Sequence, residues 1–385
     1  MPRPYRAVGN GVFQLLNHRG RTFWAGLAVS LLLLALLVYK IRLGEVLDAL
    51  AGVNYFYVVP AVGLYFAAVF FRALRWRYLL APIGSFSVGR LYPVVVIGYT
   101  ANNLLPARLG EVVRAYYLAQ RERCSTGAAL GTVAVERVYD GLTLLAVAAL
   151  SGPALLLLGR FDAQASGLGD AALALVAFTV AIFVLALAFL TLAASPRFQG
   201  LIQRALGLVP LRLRPRVAGF VGRFLQGLLV LNSPRKHLAV FVLSLPVWLL
   251  EGAMYFLVIY AFGIQHSFPS VGVLVLAAAL LTATSNLATA LPTSIGGIGP
   301  FEVVAQQTLV ALGVGASVAA AYAGFLHLVA LWLPVNLAGL ALLWKQNLSL
   351  GRLLRPSAEV LAPKDAALVP AVLLPKDGGP KADGL

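Results

Sequence analysis

The feature that most limits this chain is a series of predominantly apolar runs, each long enough to cross a bilayer. Thr22–Tyr39, Tyr55–Phe71, Ala128–Leu158, Ala171–Ala194, Leu238–Phe262 and Ser317–Trp344 are the candidates, a span needing about 20 apolar residues. A backbone in hydrocarbon must satisfy its own polar groups, so the choice is between helices and a closed barrel. Runs of this length without alternation select helices. Composition agrees: 60% of the 385 residues are hydrophobic and 11% charged, where a soluble domain has about 25% charged. The expected class is an all-α polytopic membrane protein.

Two further apolar segments, Leu91–Leu105 and Val271–Ala290, run directly into Pro/Gly breaks. The first has about 15 residues, roughly 22 Å of helix, too short to cross comfortably. The breaks share a pattern, Leu-Pro-x-x-x-Gly, at Leu105–Gly110 and Leu291–Gly296, each followed by a glutamate, Glu111 or Glu302. Pro106, Gly110, Pro292, Gly296, Gly297 and Gly299 are the break residues.

Charge placement then sets a topology. The net charge is +16, and the cations lie between apolar runs, which favours anionic headgroups and topology determination over nucleic acid. Residues 1–21, the connection with Arg72, Arg75, Arg77 and Arg90, the loop 196–236, and the chain from Lys345 onward are basic. All four reach the cytoplasmic side if each break is the tip of a re-entrant hairpin, Leu91–Arg123 entering from the cytoplasm and Val271–Leu312 from outside. The expectation is about six full spans, two opposed re-entrant helical hairpins, an inverted repeat, and both termini cytoplasmic in the cytoplasmic (inner) membrane.

The 196–236 loop carries eight Lys/Arg and no acid, with Val217, Phe220, Val221, Phe224, Leu225 and Leu228 at helical spacing. A helix there is expected in the headgroup plane, or the cluster is a plain stop-transfer signal. The first apolar run is read as a retained helix, not a cleaved leader. Residues 346–385 are expected to be a disordered cytoplasmic tail.

Candidate chemistry concentrates in and after the first break. Glu136 and Asp140 are one helical turn apart and two to four turns into a span, with Arg137 pointing elsewhere. Ionised groups at that depth are paired, line a wet cavity, or both. Arg108, Glu111 and Arg114 recur every three residues, Glu111 in a first helical turn. An exposed helix start flanked by arginines suits a phosphate. Asn103 and Glu302 complete the substrate-lining set, and Glu251, beside Trp248 and Tyr255, is a secondary buried acid. A self-neutralising structural cluster is the competing reading. His18, His237, His266 and His327 are scattered and Cys124 is the sole cysteine, so no metal, disulfide framework or cofactor is expected. His327 reads as a packing residue. No nucleophile–base pair or phosphate-binding loop motif is present, so the chain is not expected to be an enzyme.

These residues resemble a known family. The run Asn102 to Glu111, then Glu136-Arg137 and Asp140, then Leu291-Pro292 through Gly299 and Glu302, is similar to the transmembrane region of lysylphosphatidylglycerol synthase, the flippase-like family that includes the membrane half of the multiple peptide resistance factor. The resemblance covers roughly residues 20–345. It implies transport of a phospholipid or other polar-headed lipid, aminoacylated, hopanoid or polyprenyl-linked, between leaflets. In two-part members a separate cytoplasmic domain makes the aminoacylated lipid, so lysyl transfer is not expected here. A non-catalytic subunit presenting a lipid-linked substrate to a glycosyltransferase is the alternative, and a small-solute transporter a third. Membrane lipids and a lipid-modifying enzyme are the expected partners.

Overall fold

In a computed structural model, residues 42–105, 108–160, 214–228, 233–289 and 296–348 are described, with isolated positions between 28 and 32 and between 177 and 210. The expected spans Thr22–Tyr39 and Ala171–Ala194, the terminal segments 1–21 and 349–385, and the break prolines Pro106 and Pro292 lie outside the described residues.

Ten helices make up the described chain: α1 (Leu43–Ala51), α2 (Val58–Leu80), α3 (Val88–Leu104), α4 (Gly110–Glu122), α5 (Thr126–Leu157), α6 (Arg214–Leu228), α7 (Pro234–Ala261), α8 (Val271–Ala288), α9 (Pro300–Ala311) and α10 (Ala316–Lys345). Among the described residues there is no strand. Five helices, α2, α5, α7, α8 and α10, are long and apolar enough to cross a membrane. The protein is therefore all-α and multi-pass.

The two breaks form antiparallel helix pairs. In the first, Gly98 lies against Arg114, Asn102 against Gly110, and Arg90 bonds Glu122 at 3.2 Å. In the second, Thr284 and Thr308 share a 3.0 Å hydrogen bond, and Leu280 packs with Leu312. Gly110 explains the closeness of the first pair, because a methyl group there would overlap the Gly98 carbonyl and the Asn102 amide. Its burial also means that the start of α4 is covered by α3 instead of standing exposed.

Element order repeats: long helix, helical hairpin, long helix, first as α2, α3–α4, α5 and again as α7, α8–α9, α10. The long helices α2 and α7 pack along one another at the centre. The packing beyond them is reciprocal, α3 lying on α10 and α8 on α5.

One expected span needs correction. The run Tyr55–Phe71 enters α2 only at Val58, and the helix continues to Leu80 through Arg72, Arg75 and Arg77. Arg72 and Arg75 are buried, so the basic connection is shorter than the sequence implied. The physical reason is pairing: carboxylates on two other helices meet these guanidiniums, and a matched cation no longer terminates a buried helix.

The basic segment also differs from a free interfacial helix. α6 packs on the first turns of α5, where Gly227 and Gly131 let the backbones touch and Phe224 and Arg223 cover Gly127. Val217 and Phe220 remain exposed, while Phe224 and Leu225 pack on the core.

Candidate functional site: a buried charge lattice beneath two hairpin tips

Helix α5 carries Glu136 and Asp140 one turn apart, about 15 Å from its start at 1.5 Å per residue. Residues i and i+4 share a face, and that face meets α2 and α4. Arg75 donates to Glu136 Oε1 at 3.0 Å and to Asp140 Oδ1 at 2.7 Å, with Ser244 Oγ as a further acceptor at 2.7 Å. Arg114 of α4 bonds the other oxygen of Glu136. Arg72 reaches Glu251 of α7 at 2.5 Å and Asp140 at 3.5 Å. Arg137 pairs with Asp140 at 3.3 Å and with Glu111 at 3.5 Å.

Aromatic faces complete the enclosure. Arg114 lies 4.4 Å over the Trp76 ring and Arg72 4.6 Å over Trp248, while Trp76 Nε1 donates to Thr132 Oγ1 at 3.0 Å. Cation–π contact and bidentate pairing both favour arginine over lysine here.

Arg72, Arg75, Arg114 and Arg137 thus stand against Glu111, Glu136, Asp140 and Glu251. The charges cancel, as they must for groups that apolar surroundings cannot solvate. Arg108 is the cation left over among these residues. It sits 3.9 Å from the already shared Glu111, its φ is 53°, and it donates to Thr289 Oγ1 at 3.2 Å. That last bond crosses from the first hairpin tip to the second.

The tips also meet at Gly296, where a side chain would press on the Asn103 carbonyl and on Trp332 Nε1. Asn103 donates to Asn336 Oδ1 at 3.3 Å. Around these contacts, polar atoms are sealed from solvent yet lack a hydrogen-bond partner: Tyr99 OH, Asn102 Oδ1, Trp332 Nε1 and Asn336 Nδ2, while Glu111 Oε1 and Arg137 Nε meet as a 3.5 Å ion pair. Buried polar groups are ordinarily paired, so a concentration of unpaired ones marks a place for water or a polar ligand.

Glu302 stands apart from the lattice. It caps α9, accepting from the Gly299 amide at 2.7 Å, and its other oxygen is 2.6 Å from His327 Nδ1. His327 is therefore not a plain packing residue. It lies in a π-helical stretch, Leu326–Trp332, inside α10. Pro334 follows at once, and its missing N–H and bulky ring disturb the turn before it.

The expected site residues thus divide. Arg114, Glu136, Asp140 and Glu251 are buried in the lattice and Glu302 in its own pair, whereas Arg108, Glu111 and Arg137 keep 31%, 23% and 27% of their side-chain surface open. The cluster is self-neutralising in its depth and open at the edge formed by Arg108, Glu111 and Arg137. Arg72 and Arg75 escaped the sequence reading because a basic connection and a buried helical face look alike in one dimension. The available signal was their three-residue spacing with Trp76 beside them on an otherwise apolar helix.

Comparison with known proteins bears on what such a site does. Residues 23–338 match the family described as the lysylphosphatidylglycerol synthase TM region. A UPF0104 membrane protein of Methanothermobacter thermautotrophicus is 29% identical over 331 residues, 83% of this chain and 93% of that one. Glycosyltransferase AglD of Haloferax volcanii is 28% identical over 361 residues, 88% of this chain and 57% of that protein. UPF0104 membrane protein MJ1595 of Methanocaldococcus jannaschii is 32% identical over 117 residues, 30% of this chain and 35% of that one. No solved structure matches the chain.

Proposed function

The chain belongs to the lysylphosphatidylglycerol synthase transmembrane-region family, and from that premise we propose that it moves a phospholipid or another lipid with a polar headgroup between leaflets. The headgroup passes the contact of the two hairpin tips while the acyl chains stay in the bilayer. Arg108, Arg137, Glu111 and Asn103 meet the headgroup, and Arg114, Glu136, Asp140 and Glu251 hold the helices that present them. The two hairpins enter from opposite faces of the cytoplasmic membrane, both termini are cytoplasmic, and no covalent chemistry occurs on the lipid.

The observation that supports this best is the unbalanced tip. A charge lattice that cancels in its interior ends at one surplus, part-exposed guanidinium, Arg108, whose bond to Thr289 joins the two hairpins. A guanidinium in such a setting binds a phosphate or carboxylate with two parallel hydrogen bonds.

The test is native mass spectrometry with lipid identification on gently purified protein, wild type beside Arg108→Ala. One lipid class retained by wild type and lost from the variant is the expected result, and it names the cargo. Equal bulk lipid in both samples would overturn the headgroup site.

A second reading is favoured by the printed name of the Haloferax relative, a glycosyltransferase of which this chain spans 57%. In it, the same site presents a lipid-linked substrate to a separate glycosyltransferase. Reconstituted protein that moves no lipid but co-purifies with such an enzyme would decide for it.

A further inference from the structure

We propose that Glu302 and His327 form a proton-binding site that ties proton uptake to the seating of the second hairpin tip. The inference deepens the lipid-transport reading, because it supplies that movement with a coupling ion.

The pair has the chemistry for one exchangeable proton. Glu302 and His327 are 3% and 6% exposed. With Glu302 ionised and the imidazole neutral, the pair carries one negative charge in an apolar setting. Uptake of one proton from water cancels it, leaving a carboxylate–imidazolium pair joined along the 2.6 Å contact of His327 Nδ1 with Glu302 Oε1. A lone buried charge is costly and a cancelled one much less so, so proton occupancy decides whether the surroundings can close over the pair. Histidine is the side chain whose charge changes most readily near neutral pH.

The connection to the tip is geometric. The second Glu302 oxygen holds the Gly299 amide at 2.7 Å, fixing a residue at φ 100° where α9 begins. Gly297, at φ 80°, lies between Thr289 and the His327 ring edge. Thr289 in turn accepts the Arg108 bond that joins the two tips. His327 stacks on Phe301 with ring centroids 4.2 Å apart, so its ring cannot shift without moving the first turn of α9. The π-helical turn around His327 is the sort of local irregularity that concentrates at functional positions.

Most other titratable groups on the elements packed against the pair are engaged elsewhere. Beside α1, Arg42 pairs with Glu45 at 3.1 Å. On α3, Arg90 pairs with Glu122 at 3.2 Å, while Tyr99 OH has no hydrogen-bond partner. Tyr255 on α7 stands 6.3 Å from Phe301 and takes a bond from Asn286. Glu251, one turn before it, and Arg72 on α2 bond each other. Tyr322, five residues before His327 on α10, donates to the Tyr255 carbonyl. Tyr65 on α2 is buried, and α8 carries no titratable side chain.

The experiment labels histidine with 15N in protein held in phosphatidylglycerol–phosphatidylcholine nanodiscs and follows the four imidazoles from pH 4 to 10. Loss of a signal in His327→Gln assigns His327, and glutamine keeps an N–H for Glu302, so the variant retains its fold. The expected result is a pH-dependent change in the His327 signal of wild type that is displaced in Glu302→Gln. A midpoint equal in both proteins, or no titration in wild type, would overturn the proton site. In the same lipids, fluorescent phosphatidylglycerol is then followed across proteoliposome leaflets with and without a pH gradient. The expected result is a rate in wild type that changes several-fold with the gradient and a rate in His327→Gln that does not. Equal wild-type rates with and without the gradient would overturn the coupling. No lipid movement in wild type beside an intact titration would instead reject the transport reading and the coupling while leaving the proton site standing.

Discussion

The α3–α4 hairpin and the α8–α9 hairpin follow the same path, apolar helix, polar turn, shorter helix, but are held by opposite means. The first rests on ions. Arg114 on its return helix joins a lattice shared with α2, α5 and α7, and Arg90 closes its far end on Glu122. The second rests on backbone freedom and one pair. Gly296, Gly297 and Gly299 all have positive φ, and Glu302 with His327 supplies its only ion pair among the described residues. An ionic lattice has one good arrangement, because any shift leaves a buried charge unpaired. A glycine tip has several of similar energy. The difference teaches that displacing the first hairpin would unpair several buried charges, whereas displacing the second would unpair one.

Substitutions break or sharpen this contrast. The largest effect is expected from Glu136→Gln, which leaves Arg75 and Arg114 competing for a neutral partner. Breaking a buried pair costs about 3–5 kcal/mol, so thermal unfolding in nanodiscs should show a large fall in stability. Unchanged unfolding would mean that the lattice does not hold the first hairpin.

Gly110→Ala follows, because its methyl would overlap the Gly98 carbonyl and the Asn102 amide. Overpacking of this kind costs about 1–3 kcal/mol, and backbone overlap puts it at the upper end. Pulsed hydrogen exchange should then show faster exchange in α3 and α4 with α8 and α9 unaffected. Uniform faster exchange would erase the distinction between the hairpins.

Gly297→Ala should cost less, about 1–2 kcal/mol for a left-handed backbone carrying a side chain, with a contact at 3.0 Å to Thr289 Cγ2 added. The sharper readout is kinetic. If the second tip is the mobile part, this variant slows lipid movement more than Gly110→Ala does, despite being the more stable protein. The reverse order would exchange the roles of the two hairpins.

The smallest stability effect belongs to Arg108→Ala. Part-exposed, 3.9 Å from an acid that already has a partner, it should change stability by about 0.5 kcal/mol or less while removing the retained lipid. A loss of stability comparable to that of Glu136→Gln would return Arg108 to the lattice and empty the tip of its surplus charge.

Much of this was legible in one dimension. Apolar run length fixed the helical membrane class, since hydrocarbon leaves a backbone no other partner than itself. Leu-Pro-x-x-x-Gly located both turns, and the depth of Glu136 and Asp140 marked them as groups that need partners. Which partners they have is a matter of distance in space. Arg72 and Arg75 are more than 60 residues away from those acids in the chain, and a basic stretch beside an apolar run reads as its flank until a second helix supplies the acid. The same holds for His327: nothing local distinguishes a packing histidine from one that meets Glu302 across a turn, except Pro334 and the π-helical turn it provokes. Sequence thus determined where the chain must be helical and where it must break, because those are local demands of backbone and solvent. Only the tertiary structure decided which charges cancel and which, at Arg108, is left over, because charge balance belongs to the set of helices that happen to meet.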